Sequence, residues 1–107
     1  MLRNIHLLNI KHGADEARML HLVRVDLARM AQAHGCIERK TWRFLNATAN
    51  GQPSTGAMFL DESLWPSQKA ADAFGRAERT TEDQALLDEL FSGIEVVQTL
   101  RYVDDAG

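Results

Sequence analysis

One long amphipathic segment, residues 15–34, most constrains what this chain can fold into. Its apolar residues recur at the three- and four-residue spacing of a buried helical stripe, namely Leu20, Val23, Leu27, Met30 and Ala31. Met19, Leu22 and Val25 widen that apolar surface. Asp15 is placed to cap the start of the helix, and Gly35 to end it. We therefore expect one long helix that contacts a sheet and a second apolar surface.

Four segments have the composition and alternation of strands, and they cover residues 3–11, 36–46, 56–62 and 94–103. In the first, Asn4, His6, Leu8 and Ile10 point one way and Ile5, Leu7, Asn9 and Lys11 the other. Residues 46–55 are rich in turn formers, including Asn50-Gly51, and predict a long hairpin loop.

Two further helices are predicted before the last strand. The first opens at Leu64-Trp65-Pro66-Ser67 and weakens at Gly75, with Pro66 in the first turn. The second begins with a capping box, Thr81 as N-cap and Gln84 three residues on, and stops at Gly93. The order βαββαβ predicts an α+β, ferredoxin-like fold, a four-stranded antiparallel sheet with helices on one face. With 107 residues, we expect one domain, 1–107.

The opposite face of this sheet is predicted to stay apolar. Alternation places Ile5, Leu7 and Leu45 there, together with either Met58 and Leu60 or Ala57 and Phe59. An exposed apolar patch of that size indicates a partner. A second copy of the same sheet is the simplest one, so we expect a homodimer.

Composition excludes several classes of function. The formal charge of −3 lacks the basic excess typical of a small nucleic-acid binder. No apolar run is long enough to span a bilayer, and polar residues interrupt the N-terminal segment, so we expect neither membrane association nor a signal peptide. The single cysteine excludes an internal disulfide, and the cytoplasm is the expected location.

Two segments resemble known proteins. The opening IHLLNIKHGADEARMLHLV is similar to the start of stress-responsive dimeric α+β barrel proteins, in which a strand with an early His leads to a long helix. The segment GAMFLDESLWPSQKAADAF resembles the strand–helix junction of antibiotic-biosynthesis monooxygenase-like proteins of the same superfamily. The resemblance implies a homodimeric barrel with a pocket between sheet and helices in each subunit.

The resemblance also implies functions, and two departures from the family's pattern count against the cyclase and haem-degrading chemistries. His6 matches the early His that polyketide cyclases of this group use in the pocket. The His-Pro-x-His element of those cyclases is absent, and GRAERTTED stands in its place. No His follows His34, which removes the axial ligand of the haem-degrading members. Trp65 and the helix after it fit the cofactor-free oxygenases, in which the phenolic substrate itself reacts with oxygen.

His6 is the expected catalytic residue. A neutral imidazole on the helix-facing side, beside Leu8, would take a phenol or enol proton near neutral pH. The alternative is a buried His bonded to a backbone carbonyl or water.

The expected substrate-binding residues surround it in the fold: Asn4, Leu8, Trp42, Arg43, Trp65 and Tyr102. The tryptophans would stack on a planar ligand, with core packing as the alternative. Arg43, like Arg39, would hold a carboxylate or enolate oxygen, unless these arginines form ion pairs at the dimer interface. Asn4 and Tyr102 would hydrogen-bond the ligand or serve ordinary structural bonds.

Other site types lack their sequence signatures. His12, His21 and His34 show no metal-ligand spacing, and no nucleotide-binding glycine motif is present, so neither a metal nor another cofactor is expected. His34 and Cys36 lie two residues apart across a helix end, so their side chains are not expected to meet as a nucleophilic pair. Cys36 is expected to behave as a small apolar residue.

Two hypotheses of function follow. One is an enzyme acting on an aromatic or polyketide-like substrate without metal or flavin, as a cofactor-independent monooxygenase or cyclase. The other is a non-catalytic stress-associated or ligand-binding dimeric protein; a subunit that modifies a larger assembly is a weaker third. An open cavity of about 300 Å³ or more beside His6 favours the first.

Overall fold

The computed structural model describes residues 1–105, and its frame is one antiparallel sheet. The strands are β1 (Leu2–Ile10), β2 (Glu38–Arg43), β5 (Phe59–Trp65) and β6 (Ile94–Val103), arranged in the order β2-β5-β1-β6. The helices pack on one side of it, which confirms the predicted ferredoxin-like α+β fold. A register shift between Leu7 and Leu8 interrupts the pairing of β1 with β6.

The long helix consists of three consecutive segments: α1 (Glu16–His21), a π-helical segment (Leu22–Leu27) and α2 (Ala28–Ala33). Asp15 caps it as predicted, because its side chain accepts from the amide of Arg18 at 3.1 Å. Gly35 follows the helix with φ +94°, a conformation that favours glycine. Met19 and Leu22 are buried as expected, whereas Val25 remains half exposed.

The segment between β2 and β5 forms a hairpin of its own. Its strands are β3 (Ala47–Ala49) and β4 (Gln52–Ser54), which pair only with each other. Asn50 and Gly51 turn the chain with φ of 53° and 77°, the left-handed values that a tight hairpin turn requires.

The third strand of the sheet lies later in the sequence than predicted. It covers Phe59–Trp65 rather than 56–62, because its pairing with β1 continues to the partners Leu2 and Trp65. Trp65 therefore ends a strand instead of opening a helix. Helix α3 (Gln68–Arg76) begins after Ser67, whose hydroxyl accepts from the amide of Ala70 at 3.1 Å.

Helix α4 (Thr81–Gly93) starts one residue earlier than its predicted cap implies. Thr80 is the N-cap, and its hydroxyl accepts from the amide of Asp83 at 3.1 Å. Gly93 ends the helix as expected, and β6 follows at once.

The apolar core between sheet and helices consists of two clusters. The larger joins the first half of the long helix to α4 and to Leu8 and Phe59 on the sheet. The smaller joins Leu2 and Trp65 to Ala31, Cys36 and Ala71. Among residues 1–105, no helix is long and apolar enough to cross a membrane.

The sheet face away from the helices, here called the outer face, is partly apolar. Leu7 and Leu60 face each other there, and Trp42 lies beside Leu60. The outer face also holds an ion pair, in which Arg3 Nη1 lies 3.4 Å from Glu62 Oε2. Phe59 is buried on the inner side instead, so of the two alternatives for the third strand, the structure selects Leu60.

The position of the α4 cap is testable. Replacing Thr80 by Ala removes the acceptor of the Asp83 amide, and we expect the free energy of unfolding to fall by about 1 kcal/mol. Thr81→Ala is the matched control and should change stability by much less. Chemical denaturation of both variants measures the difference, and an equal loss in both would contradict the assignment.

Candidate active site

Two rows of polar side chains cross the inner face of the sheet. Cross-strand pairing aligns the first row as Arg39, Ser63, Asn4 and Arg101. It aligns the second as Thr41, Asp61, His6 and Thr99. Adjacent strands lie about 4.8 Å apart, so neighbours within a row are within reach of one another. The two rows form a polar floor beneath the helices.

A cavity of about 510 Å³ lies above this floor. Asn4, His6, Arg39, Asp61, Ser63 and Thr99 line its base. Its walls are mostly apolar and come from all three helices, including Val23, Leu27, Ala71, Phe74, Leu87, Leu90 and Phe91. An apolar cavity with a few convergent polar groups is typical of a site for a small organic molecule. The volume also exceeds the roughly 300 Å³ that separates the two hypotheses of function.

His6 is held by Thr99 and kept neutral by its surroundings. Its Nδ1 lies 3.1 Å from the hydroxyl oxygen of Thr99. Burial lowers the pKa of His6 below its ordinary value, and the positive charges of Arg39 and Arg101 lower it further. In the tautomer whose Nδ1–H donates to Thr99, the basic lone pair is on Nε2. The ring is therefore in the neutral form that a general base needs before it takes up a proton.

Arg39 and Asp61 form a buried ion pair next to His6. Arg39 Nη2 donates to Asp61 Oδ2, and both side chains are more than nine-tenths buried. Thr41 adds a hydrogen bond to Asp61 at 3.3 Å. Burial raises the pKa of Asp61, while Arg39 and Thr41 oppose that shift. Removing one partner of such a pair costs about 3–5 kcal/mol, because the other charge stays buried.

Three buried polar atoms around the cavity have no hydrogen-bond partner within residues 1–105: Asn4 Oδ1, Arg39 Nε and Arg79 Nε. Two are donors and one is an acceptor. An unpaired polar atom in a protein interior costs about 1–3 kcal/mol. All three residues line the cavity, and the partners they lack are acceptor oxygens for the two N–H groups and an O–H or N–H donor for Asn4 Oδ1.

Four of the residues expected from the sequence meet in this cavity: His6, Asn4, Leu8 and Trp65. Trp65 is almost fully buried, and its Nε1 donates to the hydroxyl of Ser63 at 2.9 Å. Its ring lies 5.3 Å from that of Phe74 on α3. Trp65 thus shapes one wall with its orientation fixed.

The structure places the other three elsewhere, and this corrects the expected site. Trp42 lies on the outer face, 47% exposed, where its Nε1 donates to Glu62 at 3.1 Å. Tyr102 is 58% exposed on the same face, because it pairs with Arg3 rather than with Asn4.

Arg43 faces the helices but lies beyond the cavity. It covers the ring of Phe59 at 4.7 Å and contacts Glu16 at 3.3 Å near the start of the long helix. Arg39, four residues earlier on β2, lines the cavity where Arg43 was expected. Both arginines point inward, so neither forms an ion pair on the outer face.

Sequence reasoning missed Asp61, Ser63, Thr99 and Arg79 as lining residues. The alternation in FLDESLW contains a signal for two of them, since Asp61 and Ser63 share the face of Phe59 and Trp65. Thr99 becomes recognisable only through its pairing with His6.

Cys36 has no nucleophilic character here. Its thiol donates to the carbonyl of Glu38 at 3.3 Å, and burial raises its pKa. Within the described part of the chain, no three His, Cys, Asp or Glu side chains come together as a metal site.

Comparison with solved structures supports the fold. The chain matches the Arabidopsis thaliana protein At3g17210 with a TM-score of 0.74 and 12% identity, over 100% of this chain and 98% of that one. It matches a hydroxynitrile lyase from Passiflora edulis with a TM-score of 0.72 and 17% identity, over 99% and 94%.

A dimeric ferredoxin-like protein of unknown function from Thermobifida fusca gives a TM-score of 0.58 and 12% identity, over 94% and 86%. No family profile and no curated protein matches the sequence. The chain therefore shares its ferredoxin-like α+β fold with these solved structures.

The electrostatics of His6 give a prediction. NMR titration of the ring should show a His6 pKa below its ordinary value. Arg101→Gln removes one of the charges that lower it, so the pKa should move back toward that value. Arg24→Gln, an exposed charge on the long helix, is the control. An ordinary His6 pKa in the wild type, or no response to Arg101→Gln, would contradict this account.

The same shift makes stability depend on pH. The unfolded state takes up the His6 proton more readily than the folded state does. The free energy of unfolding should therefore decrease as pH falls from about 6.5 to the lowered pKa of His6. Urea titrations across that range measure the decrease, which His6→Gln should remove.

Proposed function

We propose that this protein is an enzyme that uses His6 as a general base on an aromatic or polyketide-like substrate, without metal or flavin. The main observation that supports this proposal is an open, mostly apolar cavity around a neutral imidazole, whose Nδ1 lies within hydrogen-bond distance of Thr99. A buried neutral His accepts protons from weak acids near neutral pH. The apolar walls suit a planar hydrocarbon skeleton.

The proposed step is a proton transfer. Nε2 of His6 takes a proton from a phenolic O–H, or from a C–H next to a carbonyl, and becomes imidazolium. The electron pair stays on the oxygen as a phenolate in the first case, and moves to the carbonyl oxygen as an enolate in the second; the phenolate has the same delocalised charge on oxygen and ring carbon. Arg39 lines the same floor and has a free Nε–H, so it can donate a hydrogen bond to that oxygen. Asp61 keeps the guanidinium in place.

Two reaction types can follow from this enolate. In a cyclase, its carbon attacks a second carbonyl of the same substrate. In a cofactor-independent monooxygenase, it reacts with dioxygen, so that a CH₂ group becomes a carbonyl and one water is released. The polar groups around His6 serve both types, because both begin with the same proton transfer.

Similar structures agree with a catalytic use of the fold, since one of them is named a hydroxynitrile lyase. Another is a protein of unknown function, and a cavity of this kind also suits a non-catalytic ligand-binding protein. Such a protein would bind the same molecules without turnover, and this difference decides between the two functions.

Activity assays test the proposal. We expect the wild type to exchange the acidic C–H of anthrone with D₂O, and either to consume oxygen or to cyclise a linear polyketone. His6→Gln should slow exchange by about 10²–10⁴-fold, because the base is lost. His12→Gln, in the exposed turn after β1, is the control. EDTA should change nothing.

Equal exchange rates in the wild type and His6→Gln would exclude His6 as the base. Binding of anthrone without exchange, in the wild type, would support the ligand-binding alternative.

We also propose a homodimer through the outer face of the sheet. On that face Leu7 and Leu60 are half-buried, and Trp42 beside them is exposed. Exposed apolar surface of this kind favours burial against a partner, and an identical sheet is self-complementary. The similar Thermobifida fusca protein is described as dimeric.

A charge in this patch should separate the subunits. We expect Leu60→Glu to be monomeric in sedimentation-velocity experiments at micromolar concentration, because two carboxylates would be buried at the interface. Val25→Glu, an exposed apolar position on the long helix, should leave the dimer intact. A wild type that sediments as a monomer would exclude the dimer.

A further inference from the structure

Arg79 lies in the connection between α3 and α4 and lines the cavity. Of the lining residues from this connection in the described chain, it is the charged one. Its Nη2 donates to the carbonyl of Phe74 at 2.9 Å, and its Nη1 donates to the carbonyl of Ala77. Its guanidinium lies over the ring of Phe74 at 4.6 Å. These contacts fix the planar group in the helix layer. Its Nε–H is buried and has no partner within residues 1–105.

The charges around the cavity do not balance. Its titratable lining residues are His6, Arg39, Asp61 and Arg79. Arg39 and Asp61 neutralise each other, and His6 is neutral because burial lowers its pKa. Within residues 1–105, no carboxylate lies in salt-bridge distance of Arg79, since the nearby Asp83 pairs with Arg29 at 2.7 Å. Of the charged lining residues in the described chain, Arg79 is therefore the one without a carboxylate in direct contact.

From this arrangement we propose that the cavity selects a monoanionic substrate, an aromatic carboxylic acid whose carboxylate binds Arg79 while its carbonyl oxygen faces Arg39 and His6. The inference rests on the proposed function and names the substrate class of the same site. A carboxylate matches the planar donor fork of an arginine. A phosphate dianion would bring two negative charges to the single arginine that has no carboxylate partner, and most of the residues that line the cavity are apolar.

In this proposal the two arginines contact different parts of the ligand. Arg39 lies on the sheet floor and Arg79 in the helix layer, so the ligand spans the cavity from floor to wall. Asp61 holds Arg39 through Nη2, and two backbone carbonyls hold Arg79 through Nη1 and Nη2, while neither Nε–H has a partner within residues 1–105. Little side-chain freedom is lost on binding, which favours affinity.

Calorimetric titration with naphthalene-2-carboxylate and its methyl ester tests the proposal. We expect the wild type to bind the carboxylate at least about tenfold more tightly than the ester, since the ester lacks the charge. Arg79→Gln should weaken carboxylate binding by about 10- to 100-fold and leave ester binding unchanged. Arg76→Gln, an exposed arginine at the end of α3, is the matched control and should keep the preference.

The fold of Arg79→Gln is checked by circular dichroism, because Arg79 also bonds the end of α3. If that variant is unfolded, the wild-type preference and Arg79→Lys decide. Lys keeps the charge and loses the fork, so it should retain part of the preference. Equal affinity for both probes in the wild type, an equal loss for both in Arg79→Gln, or no carboxylate binding up to about 1 mM would overturn the proposal.

Failure of the proposed function gives a different result. His6→Gln should keep the carboxylate preference, because His6 does not contact the carboxylate in this arrangement. Selective acid binding without any turnover would reject the catalytic function and leave the anion site standing. Turnover of neutral ketones with no preference for acids would reject the anion site and leave the catalytic function standing.

Discussion

The buried ion pair of Arg39 and Asp61 is the interaction on which the rest of the site depends. It joins β2 to β5 beside the strand that holds His6. An apolar helix packed directly on these side chains would leave their remaining polar atoms without partners, at about 1–3 kcal/mol each. The helices instead pack on the apolar clusters on either side. The cavity thus lies where the inner face of the sheet has a buried ion pair.

The order of elements and the helix-facing position of His6 were predictable from local patterns. Asp15 and Gly35 flank the apolar stripe, and a side-chain acceptor before such a stripe and a glycine after it are local signals of helix ends. The position of Trp65 was not predictable, because Pro66 and Ser67 favour a helix start while pairing with Leu2 extends the strand to Trp65. Tertiary pairing overrides a local start signal when several ladder bonds are gained.

The composition of the site was harder to predict than the fold. His6 was identified because a lone imidazole on an apolar strand is conspicuous. Arg79 lies in a connection whose sequence has no periodicity, and its bonds to the carbonyls of Phe74 and Ala77 arise only when α3 ends there. Asp61 and Ser63 are polar residues at inward positions, which alternation alone assigns to either face. Which residues meet across strands is known only once the register of the strand pairing is known.

Register also links the inner and outer faces of the sheet. On β2, Arg39 points to the cavity and Trp42 to the outer face, because their positions differ by an odd number of residues. A slip of one residue would bury Trp42 among the helices and place Arg39 on the outer face, leaving Asp61 buried without its partner. The ion pair therefore opposes such a slip. The same contact that orients the proposed oxyanion donor keeps the apolar side chains of β2 available to a second sheet.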